Sequence, residues 1–421
     1  MHPYRVLRGV LAVLLVLNVA ACTGRPKNVL IATHVTPPGT SVVDMLVATT
    51  RAPDKTQPGE MFSGERGTEY SFADIAVSIP PQRTVGEVQW PQGDTPDPSR
   101  EFTTVEAQIL TKEAAIAAFD KRIARTPKRQ ALVFVHGYNT RFGEAVYRFA
   151  QIVHDSDASV VPVLFTWPSR GSLLQYGYDH ESANFSRDAL ERLLQYLAKD
   201  PNVGEISILA HSMGNWVTLE ALRQMAIRNH GLPKKITNVM LAAPDVDFDV
   251  FQRQIQAMEV RPSLFTIFVS RDDEALAVSR RVWGDKTRLG AINPDAEPYI
   301  DVLDRNHLTA IDLTKIASGG GDSLGHTKFA EAPQVVRAIG ARLASGQPLN
   351  DGQAGVGEKL GLVTAGAAST MGAAAGVAVA APFAIVDPRT RENLSERFDA
   401  IGEHAGHTVD SGTRLVAPPA Q

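Results

Sequence analysis

One cysteine, Cys22, occurs in the 421 residues, so no disulfide can close within the chain. Clusters of His, Cys, Asp and Glu at metal-ligand spacing are missing, as are a phosphate-cradling Gly loop, a dinucleotide fingerprint and any internal repeat. Net charge is only −4, from 42 basic and 46 acidic residues, and no basic block or aromatic-studded basic stripe offers a footing for nucleic acid. These absences leave chemistry that needs neither cofactor nor metal. What the chain does have is 44% hydrophobic residues, enough to bury a substantial core.

Residues 206–209, Ile-Ser-Ile-Leu, read as a short apolar strand that runs into Ala210-His-Ser-Met-Gly214 and then a helix over 215–228. Strand, sharp turn between small residues and immediate helix form a nucleophile elbow with Ser212 at its tip. The turn holds the serine at a strained backbone position, and the helix N-terminus beneath supplies partial positive charge. Ala210 stands where the common pattern has Gly and adds one methyl at the strand–helix crossing.

Such a serine needs a base, an orienting acid and donors for an oxyanion, and in the α/β-hydrolase fold acid and base follow it in the order Asp or Glu, then His. Upstream, residues 131–135 are continuously apolar, as in a parallel strand buried on both faces, and end in His136-Gly-Tyr-Asn139. That position brings the N–H of Tyr138 beside the elbow, to form an oxyanion hole with the N–H of Met213. His136 precedes the nucleophile and is expected to prop its loop.

Downstream, the β-prone run 264–269 leads into Ser270-Arg-Asp-Asp-Glu274 and a helix over 275–280. Asp273 is favoured over Asp272 as the acid because it lies further past the strand, next to the helix; one of the pair is expected to cap that helix. The last strand, 308–314, is followed by a Gly/Ser-rich loop that delivers His326 as the base, ahead of a helix over 332–340. His307 lies at the wrong end of that strand, and His404 and His407 sit in a polar tail with no strand to position them.

Several spaced motifs now carry a resemblance. Phe134-Val-His-Gly-Tyr-Asn139, Phe142, Ala145-Val-Tyr147, Ala150-Gln151, Leu164-Phe-Thr-Trp-Pro-Ser-Arg-Gly171, Tyr178-Asp179, Ala210-His-Ser-Met-Gly-Asn215 and Gly325-His326 together resemble a bacterial α/β-hydrolase family long catalogued as a domain of unknown function. Ala48-Thr-Thr-Arg51 and Val77-Ser-Ile-Pro-Pro81 look like its N-terminal signatures, so the resemblance covers roughly residues 45 to 345. It implies an α/β fold with a mostly parallel central sheet and helices on both faces, an elbow that begins with Ala, and an acid at Asp273. It implies no settled substrate.

His2, Arg5 and Arg8 precede the apolar run 10–17 and then Val19-Ala-Ala-Cys22, which reads as a secretory signal. A lone cysteine directly after Val-Ala-Ala looks like the acylated residue of a bacterial lipoprotein, and two acyl chains anchor stably where one is marginal. Gly24, two residues on, by resemblance favours the outer membrane. The expected organisation is a signal at 1–21, a tether at 22–44, the hydrolase domain at 45–345, and an Ala/Gly-rich apolar segment with a polar tail at 346–421. Residues 361–386 carry no charge; they read as a linker or packed helix, or else as a second membrane contact or self-association surface.

Functionally these features point to an envelope-anchored serine hydrolase acting on an ester, lipid or other acyl substrate. The competing reading is a lipoprotein that keeps the fold as a binding or scaffold module. Residues 167–169 and 173–178 line an acyl pocket or pack the core, and the sequence leaves the choice open.

Overall fold

Apolar runs without a polar break make strands covered on both faces, and that is the behaviour of β4 (Gln130–Val135), in which every residue is buried. The structure, a computed structural model, describes residues 25–57, 59–93, 96–317 and 322–345. Around β4 lie β1 (Ser41–Pro53), β2 (Phe62–Ile79), β3 (Thr103–Leu110), β5 (Val161–Thr166), β6 (Glu205–His211), β7 (Ile236–Ala242), β8 (Phe265–Val269) and β9 (Thr309–Asp312). They form a nine-stranded sheet in the order β3-β2-β1-β5-β4-β6-β7-β8-β9. The β1–β2 and β2–β3 pairs are antiparallel and every other pairing is parallel.

Helices α1 (Lys112–Ile123), α2 (Phe142–Ser156), α3 (Tyr176–Lys199), α4 (Gly214–Asn229), α5 (Phe248–Met258), α6 (Glu274–Val282), α7 (Tyr299–Arg305), α8 (Lys328–Glu331) and α9 (Pro333–Ser345) alternate with the later strands. The direction of winding reverses at β4: α2 carries the chain to β5 on one side, and α3 carries it back across to β6 on the other. Right-handed crossovers then force α2 and α3 onto opposite faces. Val133 and Val135 accordingly pack with Leu190 and Leu194 of α3 and Phe251 of α5. Leu132 and Phe134 face the other way, toward Phe149 of α2 and Ile339 of α9, with the Phe134 and Phe149 rings stacked at 5.2 Å. A buried phenylalanine of this kind stabilises the fold by about 3–5 kcal/mol relative to alanine.

This is the α/β-hydrolase arrangement, and it sets the stage for chemistry. Ligands of open α/β sheets gather outside the carboxyl ends of the strands where the winding reverses, here the loops after β4, β5 and β6. Thr111 caps α1, its side chain accepting from the Ala114 N–H at 3.2 Å.

Helix α3 begins at Tyr176, and its first turns bury Asp179 and Ser182 in polar contacts with Ser169 and Arg66. One stretch differs from expectation. Residues 25–40 are not a free tether. Val29 and Leu30 are buried in the core, and the Thr33 and His34 N–H groups donate to Thr104 and Val105 of β3. Among the described residues no helix is long and apolar enough to cross a membrane. Cys22, His404, His407 and the run 361–386 lie outside them.

Candidate active site

The chain leaves β6 at Ser212 with φ +53°, in the left-handed region that costs an L-residue roughly 1–2 kcal/mol. Hydrogen bonds hold it there. The Ser212 N–H donates to the Ala242 carbonyl at 3.0 Å, while the Ser212 carbonyl accepts from Asn215 Nδ2 at 2.9 Å and from the Asn215 N–H at 3.1 Å. Two glycines let the backbones close around the turn. A Cβ on Gly214 would stand 2.3 Å from the His136 carbonyl oxygen, and one on Gly137 2.8 Å from Ser212 Cβ. The loop after β4 therefore lies directly on the elbow. Among the described residues the N–H groups of Tyr138 and Met213 donate to no backbone carbonyl outside the helices and strands.

His326 arrives from the loop after β9. Its Nδ1 donates to Asp273 Oδ2 at 2.6 Å, and Asp273, fully buried, accepts through Oδ1 from the Leu276 N–H at 2.9 Å, so it also caps α6. With Nδ1 carrying the proton, Nε2 keeps its lone pair. Burial pulls the His326 pKa down, but the charge and hydrogen bond of Asp273, assisted by Asp245 and Asp322, outweigh it and hold the pKa above 6.5. The imidazole packs against His211, the residue before Ser212, with ring centroids 4.8 Å apart. His211 Nε2 donates to the His326 carbonyl at 3.2 Å. Burial first and His326 second keep the His211 pKa well below 6.5, so His211 is a neutral prop.

The other aspartate of the pair is engaged elsewhere. Asp272 accepts from Lys328 Nζ at 2.8 Å through both oxygens and from the Ser270 hydroxyl at 2.5 Å. Burial raises its pKa, but these bonds more than offset that and hold it below the ordinary carboxylate range. Lys328 also donates to the Leu313 and Thr314 carbonyls at 3.3 and 3.1 Å, tying the end of β9 to the loop after β8. His307 lies in the turn before β9, at the opposite edge of the sheet.

His136 props its loop as expected. Its Nδ1 donates to the Gly137 carbonyl at 2.8 Å, and Nε2 accepts from the Trp167 N–H at 3.2 Å and from Arg51 Nη2 at 3.3 Å. Burial and the Arg51 guanidinium lower its pKa to about 3. Trp167 stacks on the imidazole at 5.0 Å and is wholly buried, so it packs the core and does not line a pocket. Asp179, which the motif Tyr178-Asp179 leaves without a role, accepts through its carboxylate from Ser169 Oγ at 2.6 Å and from the Asn139 and Arg170 N–H groups at 3.1 Å. It fixes the loops after β4 and β5 together.

Asp245, just past β7, lies outside every motif of the sequence. Tyr176 and Ser279 donate to its two oxygens at 2.6 Å each, and its N–H reaches the Ser212 carbonyl at 3.3 Å. Above it Tyr138, Tyr176 and Trp283 form an aromatic wall, with ring centroids 5.0 and 5.9 Å apart. Leu173 and Leu174 point to solvent. The stretch 173–178 thus divides between rim and wall.

A family model described as "Alpha/beta hydrolase of unknown function (DUF900)" matches residues 111–342, more than half of the chain, and the chain belongs to that family. An uncharacterized protein of Nostoc sp. is 24% identical over 157 residues, covering 31% of this chain and 40% of that protein. The match thus spans well under two thirds of the relative's length. A solved structure from work on two fungal esterases of Rhizomucor miehei shares 12% identity over 82% of this chain and 91% of its own, with a TM-score of 0.31, an overlap too loose to inform the chemistry.

Proposed function

We propose that this member of the α/β-hydrolase family is a serine hydrolase that cleaves an ester or related acyl substrate through Ser212, His326 and Asp273, and that it is held in the bacterial envelope by an acylated Cys22. One observation carries the catalytic reading: the 2.6 Å hydrogen bond from His326 Nδ1 to buried Asp273, on an imidazole packed against the residue that precedes a serine at φ +53°.

Asp273 keeps His326 in the tautomer whose Nε2 is free to act as a base. Ser212 Oγ adds to the acyl carbon while its proton passes to Nε2, and the developing oxyanion is met by the Tyr138 and Met213 N–H groups, each donor of this type contributing roughly 10²–10³ in rate. The carbon–oxygen bond to the leaving alcohol then breaks and His326 returns the proton to it. Water repeats the sequence on the acyl-enzyme: its oxygen bonds to the acyl carbon, one proton goes to His326 and on to Ser212 Oγ, and the carboxylic acid leaves.

A fluorophosphonate probe tests this directly. The wild type is expected to be labelled stoichiometrically and Ser212→Ala not at all. Equal labelling of the two, or no labelling of a folded wild type, would sink the enzymatic reading, the second outcome favouring a binding or scaffold role.

A further inference from the structure

Arg25 lies three residues after Cys22 and is firmly held. Its Nη1 donates to the Gly171 carbonyl at 2.9 Å, and its Nη2 to Asn139 Oδ1 at 2.8 Å and the Asn139 carbonyl at 3.3 Å, with Glu144 at 3.5 Å. Asn139 follows Tyr138 and Gly171 closely precedes Leu173, so the clamp sits at the carboxyl edge of the sheet, from which the loops that carry Ser212 and His326 also emerge. Three residues reach about 10 Å at full extension. A domain of about 300 residues is about 50 Å across, so a bilayer that close to Arg25 lies on the side of the molecule that bears the site.

The same edge exposes apolar side chains. Leu173 is 59% and Leu174 76% exposed; Trp283, against Tyr176, is 41% exposed, and Leu324, in the loop that carries His326, 42%. Single exposed apolar residues are ordinary, whereas several around one mouth mark a surface that meets something apolar. Tyr138 donates through its hydroxyl to the Leu173 carbonyl, which couples this rim to the loop expected to supply the oxyanion donor.

We propose that the chain holds the mouth of its Ser212 site against the bilayer that carries its own anchor, with Leu173 and Leu174 entering the interface, and so takes its acyl substrate from the membrane and not from the aqueous phase. This rests on the serine hydrolase and Cys22 acylation proposed above. Residues 25–30 serve in it as a rigid strut: Arg25 on the loops after β4 and β5, Val29 and Leu30 in the core.

The test uses the full-length acylated protein in phosphatidylcholine vesicles carrying a fluorogenic long-chain acyl ester, beside a water-soluble short-chain ester. A 20-residue Gly/Ser insertion between Gly24 and Arg25 leaves anchor, clamp and site intact but frees the domain to turn. Turnover of the embedded ester is expected to fall about fivefold or more as the enforced local concentration is lost, while turnover of the soluble ester stays the same. Leu174→Glu is expected to lower embedded turnover in the same direction. Embedded turnover unchanged by both variants would overturn the proposal. A wild type inactive on both esters and unlabelled by fluorophosphonate would instead mark failure of the hydrolase reading, and a Cys22 peptide without an acyl mass would mark failure of the anchor; either takes the proposal with it.

Discussion

Replacing Asp273 by Asn separates the orienting role of the carboxylate from its structural one. The amide is nearly isosteric, and its oxygen can still accept from the Leu276 N–H, so α6 keeps its cap and the variant is expected to fold. The 2.6 Å bond to His326 changes character: an amide that donates to Nδ1 fixes the opposite tautomer and places the proton on Nε2, where the base is needed. The loss in kcat expected for a wrong-tautomer histidine is about 10⁴-fold. A second signature follows from charge. His326 must be neutral to act, and its pKa stands above 6.5 because Asp273, with Asp245 and Asp322, outweighs burial. Without the Asp273 charge, burial gains ground, and the acid limb of kcat/KM moves to lower pH even as the plateau collapses. Steady-state rates on a chromogenic ester across the acid limb, for the wild type, Asp273→Asn and Asp272→Asn, supply both readings. An unmoved acid limb in Asp273→Asn, or a larger loss in Asp272→Asn, would refute the assignment.

Two further expectations concern stability. Ser212→Gly removes the Cβ that makes φ +53° costly and is expected to raise the unfolding free energy by about 1 kcal/mol in urea titration while abolishing labelling; a less stable variant would argue against strain at the elbow. His136, with its pKa lowered to about 3 in the folded state against 6.5 when exposed, binds its proton only in the unfolded chain between those values, so stability rises with pH there and levels off above 6.5. Between pH 6.5 and about pH 5 this group alone costs about 2 kcal/mol, so the pH slope of the urea midpoint is expected to be shallower in His136→Gln, and equal slopes would count against the buried neutral imidazole.

Local pattern determined much of this protein. The apolar runs that became β4, β6 and β8, the small residues around Ser212 and the Thr111 cap are short-range signals, written in consecutive residues because steric and hydrogen-bond demands at a turn or a strand act over a few positions. Chain order and placement together singled out His326 among the histidines, since it follows Ser212 and Asp273 and leaves the last strand at its carboxyl edge, whereas His307 precedes that strand and His404 and His407 have none to position them. The tertiary structure decided whatever depends on a distant partner. Spacing favours Asp273 over Asp272 by a single position; in the fold Lys328 and Ser270 occupy one carboxylate and His326 the other. Asp179, Asp245 and the first turns of α3 look like polar loop until Ser169, Asn139 and Tyr176 are brought to them from elsewhere in the chain. Residues 25–30 read as tether because Arg25 has no local partner; its acceptors, Asn139 and Gly171, lie more than a hundred positions away, and only folding brings them within 3 Å.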